Sequence, residues 1–290
     1  MRHIAPFHAL SLFFLVGLMI LTLFFRGRIP PWSASLIRYA VLVSILIIIQ
    51  ISYYRNMGKV RAFIYYFSPI AFIISIYESL GDLIQYLQPD FDPVLIEIDF
   101  SIFGVHPTVW IEKWIVPWFT DLMSLAYISY YFIPVTLIGI LYWKNRTEDL
   151  KMSLFVLALS YYLSFVGYIL FPAIGPRYTL THLQSVPLTG SFITDFVRDV
   201  LNALEHNKRD CMPSGHTQIA LTVLYLAYRY ERLLCYILIP VISGLILSTV
   251  YLRYHYVIDL AAGTAIAIGC MVIGPRLYRW WNGDFQRSNS

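Results

Sequence analysis

Apolar residues arrive in long blocks separated by short polar punctuation, and the blocks set the elements. The first, about Phe7 to Phe25, carries no Asp, Glu, Lys or Arg and is stopped by Arg26-Gly27-Arg28 and Pro30-Pro31. The second, about Ala34 to Tyr54, has Arg38 near its start, and the third, about Ala62 to Leu87, has Glu78 and Asp82 near its far end. Further blocks run from about Leu122 to Trp143, Met152 to Phe171, Ser214 to Tyr230 and Leu233 to Leu252. The last starts near His255 and ends before the basic residues Arg276, Arg279 and Arg287. Several approach or exceed the roughly 18 to 20 apolar residues that cross a bilayer, so the pattern predicts about eight membrane spans. Residues 89 to 119 break it with acids, prolines, Trp110, Trp114 and Trp118. Tryptophan favours the headgroup region, so this segment reads as an interfacial element. Residues 172 to 213 form a long polar stretch of the kind that often carries function. Within it, Ser191 to Leu204 has apolar residues at helical spacing and is expected to lie on the membrane surface.

Composition agrees with the pattern. The chain has 290 residues, 58% hydrophobic and 13% charged, against about 25% charged in soluble domains. The fold class expected is all-α, a polytopic membrane helical bundle. Its segments are N-terminal spans with the interfacial element (1–119), a catalytic core in spans four to eight (120–279) and a polar tail (280–290). The net charge of +4 is spread between apolar runs, which does not indicate nucleic acid. Cys211, Cys235 and Cys270 are too few and too scattered for a disulfide framework or a zinc site. The apolar run after Met1-Arg2-His3 reads as a retained first span, since no small-residue cleavage site stands out.

Two polar stretches carry candidate chemistry. Cys211-Met212-Pro213-Ser214-Gly215-His216-Thr217 reads as a helix start, with Ser214 as N-cap. A helix N-terminus offers free N–H groups and partial positive charge to an anion. Tyr251 to Asp259 puts His255 and Asp259 four residues apart, on one helix face, where the carboxylate can hold the imidazole. Arg177 and Arg253 can supply charge and forked donors to a phosphate, as can the backbone around Ser214 and Gly215. A neutral His255 oriented by Asp259 can act as nucleophile, and His216 can protonate the leaving oxygen and later activate water or an acceptor hydroxyl. That scheme for phosphoryl transfer requires no metal and no cofactor. Glu78 and Asp82 are further candidates for polar contact with substrate. Lys208 and Arg209 read as solvated loop charge, and His106, His182 and His206 as ordinary loop histidines. Asn145-Arg146-Thr147 matches a glycosylation acceptor, but its loop falls on the face assigned to the cytoplasm.

The path of the chain tests the idea that these groups meet. If span five ends on one face, span six leaves from it and span seven returns to it, so Arg177, His216 and His255 share that face. The same path puts twelve Lys and Arg residues, Arg2 among them, on the opposite face and nine on the site's face. The basic excess assigns the opposite face to the cytoplasm and the site to the extracytoplasmic or lumenal side.

Pro213-Ser214-Gly215-His216 followed by His255-Tyr256-Val257-Ile258-Asp259 resembles the type-2 phosphatidic acid phosphatase superfamily of lipid phosphatases and phosphotransferases. Phe171-Pro172-Ala173-Ile174-Gly175-Pro176-Arg177-Tyr178 is most similar to its inositol phosphorylceramide synthase-like branch. The resemblance covers roughly residues 120 to 275. It implies a vanadium-haloperoxidase-like catalytic core, a phosphohistidine on His255, Asp259 as orienter, His216 as general acid, and phosphate contacts from Arg177, Ser214 and Gly215. The expected substrate is a membrane lipid phosphate or diphosphate hydrolysed in the bilayer. The alternative is transfer of a phospho-headgroup between lipids, and a non-enzymatic transporter is a remote third reading. The family's lysine seven residues before its first arginine is Leu170 here, the proline after that arginine is Tyr178, and the arginine six residues before the second histidine is Thr249. If the helix continued through residue 253, Arg253 would face within about 40° of Thr249 and replace the missing charge.

Overall fold

The computed structural model describes residues 4–55, 58–204 and 207–287. Arg2 and His206 lie outside the described residues. The described residues fold into helices α1 (Pro6–Phe24), α2 (Trp32–Arg55), α3 (Lys59–Gly81), α4 (Asp92–Phe103), α5 (Pro107–Trp110), α6 (Pro117–Ile128), α7 (Ile133–Trp143), α8 (Thr147–Leu170), α9 (Pro176–Thr179), α10 (Thr194–Leu204), α11 (Gly215–Tyr230), α12 (Arg232–Tyr251) and α13 (Val257–Arg287), with no strand among them. Among the described residues six helices are long and apolar enough to cross a membrane, and two bent pairs, in residues 92–114 and 117–143, raise the number to as many as eight; α11, of 16 residues, is not among them. The expected all-α membrane bundle is therefore the fold.

Three details differ from the sequence pattern. The fourth span is a broken helix, Pro117–Tyr131 and Ile133–Trp143, bent by 46°. Pro134 sits at the start of its second half and cannot donate the N–H that would continue the first. Residues 89–119, expected as an interfacial element, are largely helical. They contain a helical pair, Asp92–Phe103 and Pro107–Trp114, bent by 64°, where Gly104 closes α4 in the left-handed conformation at φ 68° and Pro107 opens α5. Finally, α13 runs on to Arg287, through most of the segment read as a polar tail.

α11 packs against α12, α13 and α8, and α3 packs against α2 and α8. The largest cluster of buried side chains joins Leu137 and Leu141 of α7, Leu154 and Phe155 of α8, Val223 and Leu226 of α11, and Leu245 of α12. Ion pairs between separate loops agree with the path of the chain. Arg38–Asp82 (3.0 Å), Arg209–Asp90 (2.6 Å) and Arg253–Glu112 (2.8 Å) each join segments assigned to the site's face. Lys144–Glu231 (2.7 Å) and Arg146–Glu231 (3.4 Å) join segments on the other.

Candidate active site

The site is built where α11 begins, where α12 hands over to α13, and where the 171–178 turn closes over both. Ser214 caps α11, its Oγ accepting the Thr217 N–H at 3.3 Å. The Ser214 N–H donates to the Asp259 carbonyl at 3.0 Å, which ties the start of α11 to the first turn of α13. Gly215 lies under the Tyr168 hydroxyl, where a Cβ would collide. These two residues therefore shape the helix start from below, and neither lines the polar cavity. Gly175 makes the turn before Arg177 at φ 87°, and a Cβ there would meet the Tyr254 carbonyl oxygen at 2.6 Å. That conformation is close to glycine's alone.

His216, His255 and Arg177, widely separated in sequence, line one polar cavity of about 350 Å³, with Asn207, Lys208, Asp210 and Tyr254. His255 Nε2 is 3.3 Å from His216 Nδ1. The other nitrogen, His255 Nδ1, is 2.9 Å from the Cys211 carbonyl oxygen and 3.5 Å from Asp259 Oδ2. Since a carbonyl only accepts, Nδ1 carries the proton and Nε2 presents a lone pair. His216 Nδ1–H then donates to it, and the remaining lone pair of the two rings is His216 Nε2. A proton taken up by the pair lands there.

Asp259 differs from the expected simple pairing with His255. It does not reach the imidazole first; the Cys211 carbonyl does. Asp259 Oδ2 accepts the Tyr256 N–H at 2.9 Å and the Cys211 thiol at 2.8 Å. Burial, reinforced by the Asp259 carboxylate, pushes the Cys211 thiol up, so it stays protonated and donates. Cys211, His255 and Asp259 bring three potential metal-ligand atoms within 4.8 Å of one another. The hydrogen bonds among them account for that approach.

Aromatic rings fix the histidine from the side. Tyr127 and Tyr130, placed by the break between α6 and α7, lie 4.5 and 4.3 Å from the His216 ring, centroid to centroid. Tyr254 stacks on Tyr127 at 4.5 Å and accepts a hydrogen bond from Arg177 Nη1 at 2.9 Å. Two buried polar atoms of cavity-lining residues have no protein partner, Asn207 Nδ2 and His216 Nε2. A polar ligand or a water molecule would satisfy them.

Arg253 is not where the helical projection put it. α12 stops at Tyr251, and Arg253 adopts φ 66° while the Tyr254 and His255 N–H groups fold back onto the Thr249 carbonyl at 2.9 and 3.1 Å. Its guanidinium points away from the histidines, to Glu112 Oε1 (2.8 Å), Gln184 Oε1 (3.2 Å) and the Val186 carbonyl (2.6 Å). Arg253 is a strut, and the charge missing at Thr249 is not replaced from there. Lys208, read as solvated loop charge, lines the polar cavity, whereas Arg209 is tied to Asp90. Glu78 and Asp82 line neither this cavity nor the apolar one beside it, nor do His106 and His182.

Sequence reasoning missed Asn207 and Asp210. Asp210 Oδ2 accepts the Tyr77 hydroxyl at 2.6 Å. Burial raises its pKa, partly opposed by the Tyr77 hydrogen bond and the nearby His255. Both residues precede the Pro-Ser-Gly-His stretch by only a few positions, and that proximity was the one available signal.

Fold and site together define a class: a polytopic helical membrane protein with a buried histidine pair in a polar cavity that also carries Arg177 and Lys208. The chain belongs to the PAP2 superfamily, whose family model matches residues 95–273. Membership fits a haloperoxidase-like helical core. The match takes in α4 and α5 as well as the segment from residue 120. The chain is also similar to a PA-phosphatase related-family protein of Dictyostelium discoideum, 27% identical over 177 residues, which are 53% of this chain and 32% of that relative. The match thus spans about a third of the relative's length. No solved structure matches the chain.

Proposed function

We propose that the chain is an integral membrane lipid phosphatase acting through a phosphohistidine on His255. One observation carries the reading. His216 lines the polar cavity on one side and an apolar cavity on the other, so a phosphate beside His255 has its ester oxygen near His216 and its lipid in apolar surroundings. His255 Nε2 gives up the hydrogen bond from His216 Nδ1, attacks phosphorus with the freed lone pair, and the bond to the lipid oxygen breaks. The leaving oxygen takes a proton held at His216 Nε2. Water then attacks the phosphohistidine, giving its proton to His216 Nε2 as the P–N bond breaks. Arg177 and Lys208 balance the charge on the non-bridging oxygens. Cys211 and Asp259 hold the Nδ1 side, where positive charge develops once Nε2 is phosphorylated.

With a phosphodiester lipid as donor, His255 would instead carry the phospho-headgroup and pass it to the hydroxyl of a second lipid, as the likeness to the inositol phosphorylceramide synthase-like branch suggests, and the test separates the two outcomes. Purified protein without divalent metal is given lipid monophosphates and diphosphates, and free phosphate is measured beside His255→Ala. Release by the wild type alone is expected. No release, with headgroup transfer from an added phosphodiester lipid to a hydroxyl acceptor, would replace hydrolysis by transfer. Loss of neither activity in folded His255→Ala would sink the nucleophile assignment. The basic excess on the opposite face supports a reaction on the extracytoplasmic or lumenal side.

A further inference from the structure

A second cavity, of about 250 Å³, lies between α3, α7 and α8. Ile73 and Ile74 of α3, Pro134 and Ile138 of α7, and Leu157 and Phe165 of α8 line it. It touches the polar cavity through two shared residues, His216 and Asp210. Tyr77, on α3, spans that junction by lining the apolar cavity and donating to Asp210. α3 precedes residue 95, so one wall of this chamber is built by a helix ahead of the matched family region.

We propose that this chamber takes one hydrocarbon chain of the lipid phosphate, and that Asp210 accepts a hydrogen bond from a hydroxyl or amino group on the linker between chain and phosphate. The proposal rests on the polar cavity being the phosphate site. Three observations support it. The chamber wall is apolar over three helices, which favours hydrocarbon over water. It shares two lining residues with the polar cavity, His216 and Asp210, so an amphiphile that bridges the two has its polar end there. That junction holds a carboxylate, which has about four acceptor positions, and Tyr77 fills one. Covering it with a linker that lacks a donor would leave a desolvated acceptor, which is costly. The ligand class is therefore a lipid phosphate with a free hydroxyl or amine next to the phosphate, in preference to one whose linker bears only esters.

The chamber is tested without turnover. A single-chain alkyl phosphate tipped with a diazirine is photolysed with full-length His255→Ala protein, and the labelled peptides are mapped. Labels are expected on the peptides holding Ile73, Ile138 and Leu157, and should fall at least tenfold when Leu157→Trp is added. Ile74→Trp, at a wall position 55% exposed, gives the same comparison if the buried change fails to fold. Labels confined to the lipid-facing surface, or unchanged in both tryptophan variants, would overturn the chamber. The linker contact is tested on otherwise wild-type protein by the ratio of kcat/KM for two phosphates of equal chain length, with and without a hydroxyl beside the phosphate. About a tenfold preference for the hydroxyl is expected, collapsing towards equality in Asp210→Ala. Equal values in the wild type would remove Asp210 from recognition. A short soluble phosphate ester serves as a separate control. Its failure to turn over, alongside chamber labelling, would strike the phosphate-site reading and leave the chamber standing.

Discussion

Replacing Arg253 by methionine separates a strut from a phosphate ligand. Both members of the Arg253–Glu112 pair have side chains only 8% exposed, so solvent screens the pair little. Removing one partner of a buried ion pair leaves the other charge uncompensated, at about 3 to 5 kcal/mol. Arg253→Met should therefore lower the thermal midpoint strongly, and so should Glu112→Leu. Removing both with apolar groups of similar size is often close to neutral. Here Glu112 also accepts the Ser185 N–H and hydroxyl, at 3.2 and 2.8 Å. Ser185 is exposed and its two donors can turn to water, so the double variant should then retain a penalty of about 1 kcal/mol. Additive losses would total about 6 to 10 kcal/mol, so the expected coupling is several kcal/mol and easily resolved. The assay is unfolding of the four proteins in one detergent, with kcat and KM for a lipid phosphate on the folded fraction. A strut predicts a lost midpoint, a recovered double variant and little change in KM. An unchanged midpoint in Arg253→Met with KM raised tenfold or more, and no recovery in the double variant, would refute the reasoning and return Arg253 to the phosphate.

Three further outcomes follow from the site. Gly175→Ala should cost about 1 to 3 kcal/mol for backbone strain alone, with steric conflict against Tyr254 in addition, and should lower midpoint and turnover together because Arg177 rides on the same turn; full stability and full turnover would count against that geometry. Asp210 has a folded pKa raised above its unfolded value, so its contribution is present below the unfolded carboxylate pKa and is lost as pH rises through the folded one. Asp210→Asn should therefore be more stable than wild type at neutral pH, with the difference shrinking in acid, and yet turn over hydroxyl-bearing lipid phosphates more slowly; a midpoint difference independent of pH would contradict the burial of that carboxylate. His216→Ala should lose far more activity on an alkyl phosphate than on an aryl phosphate whose leaving group needs no proton, and equal losses on both would remove His216 from acid catalysis.

Much of the fold was legible because span-length apolar blocks are a one-dimensional signal. Eight blocks read from the chain correspond to α1, α2, α3, the α6–α7 pair, α8, α11, α12 and α13. The convergence of Arg177, His216 and His255 was legible for a similar reason, since counting crossings assigns faces without knowing any contact. What could not be read were side-chain directions at breaks. Arg253 lies only two residues beyond the end of α12, and a single left-handed φ turned it from the histidines to Glu112. Asp259 has the spacing of a histidine partner, but residues 255 and 256 precede α13, so the face-sharing argument did not hold for His255 and the Cys211 carbonyl came closer.

The acids of the middle segment carry the same lesson further. Acids among apolar blocks invite a reading as surface charge or as substrate contacts, yet four of them are spent on the backbone of the site. Asp92 accepts the Ile174 and Gly175 N–H groups at 2.9 and 2.8 Å and fixes the turn before Arg177. Asp99 accepts the Val257 and Ile258 N–H groups at 2.8 and 2.9 Å, capping α13 from another helix. Asp121 gathers the N–H groups of residues 191 to 194 at the start of α10, and Glu112 holds Ser185 and Arg253. Each carboxylate satisfies donors that have no helical partner of their own, and Asp92, Asp99 and Glu112 do so for segments beside residues that line the polar cavity. The bent pair α4–α5 and the start of α6 thus act as a frame. They supply none of the reacting groups assigned above, but they set where Arg177, Tyr254 and His255 stand. It follows that Asp99→Ala should misplace His255 through the loosened start of α13 while leaving every proposed reacting group in the chain. Activity lost in that variant should return in part with Asp99→Asn, whose side-chain oxygen can still accept an N–H, and no difference between the two would mean that the cap does not position the site.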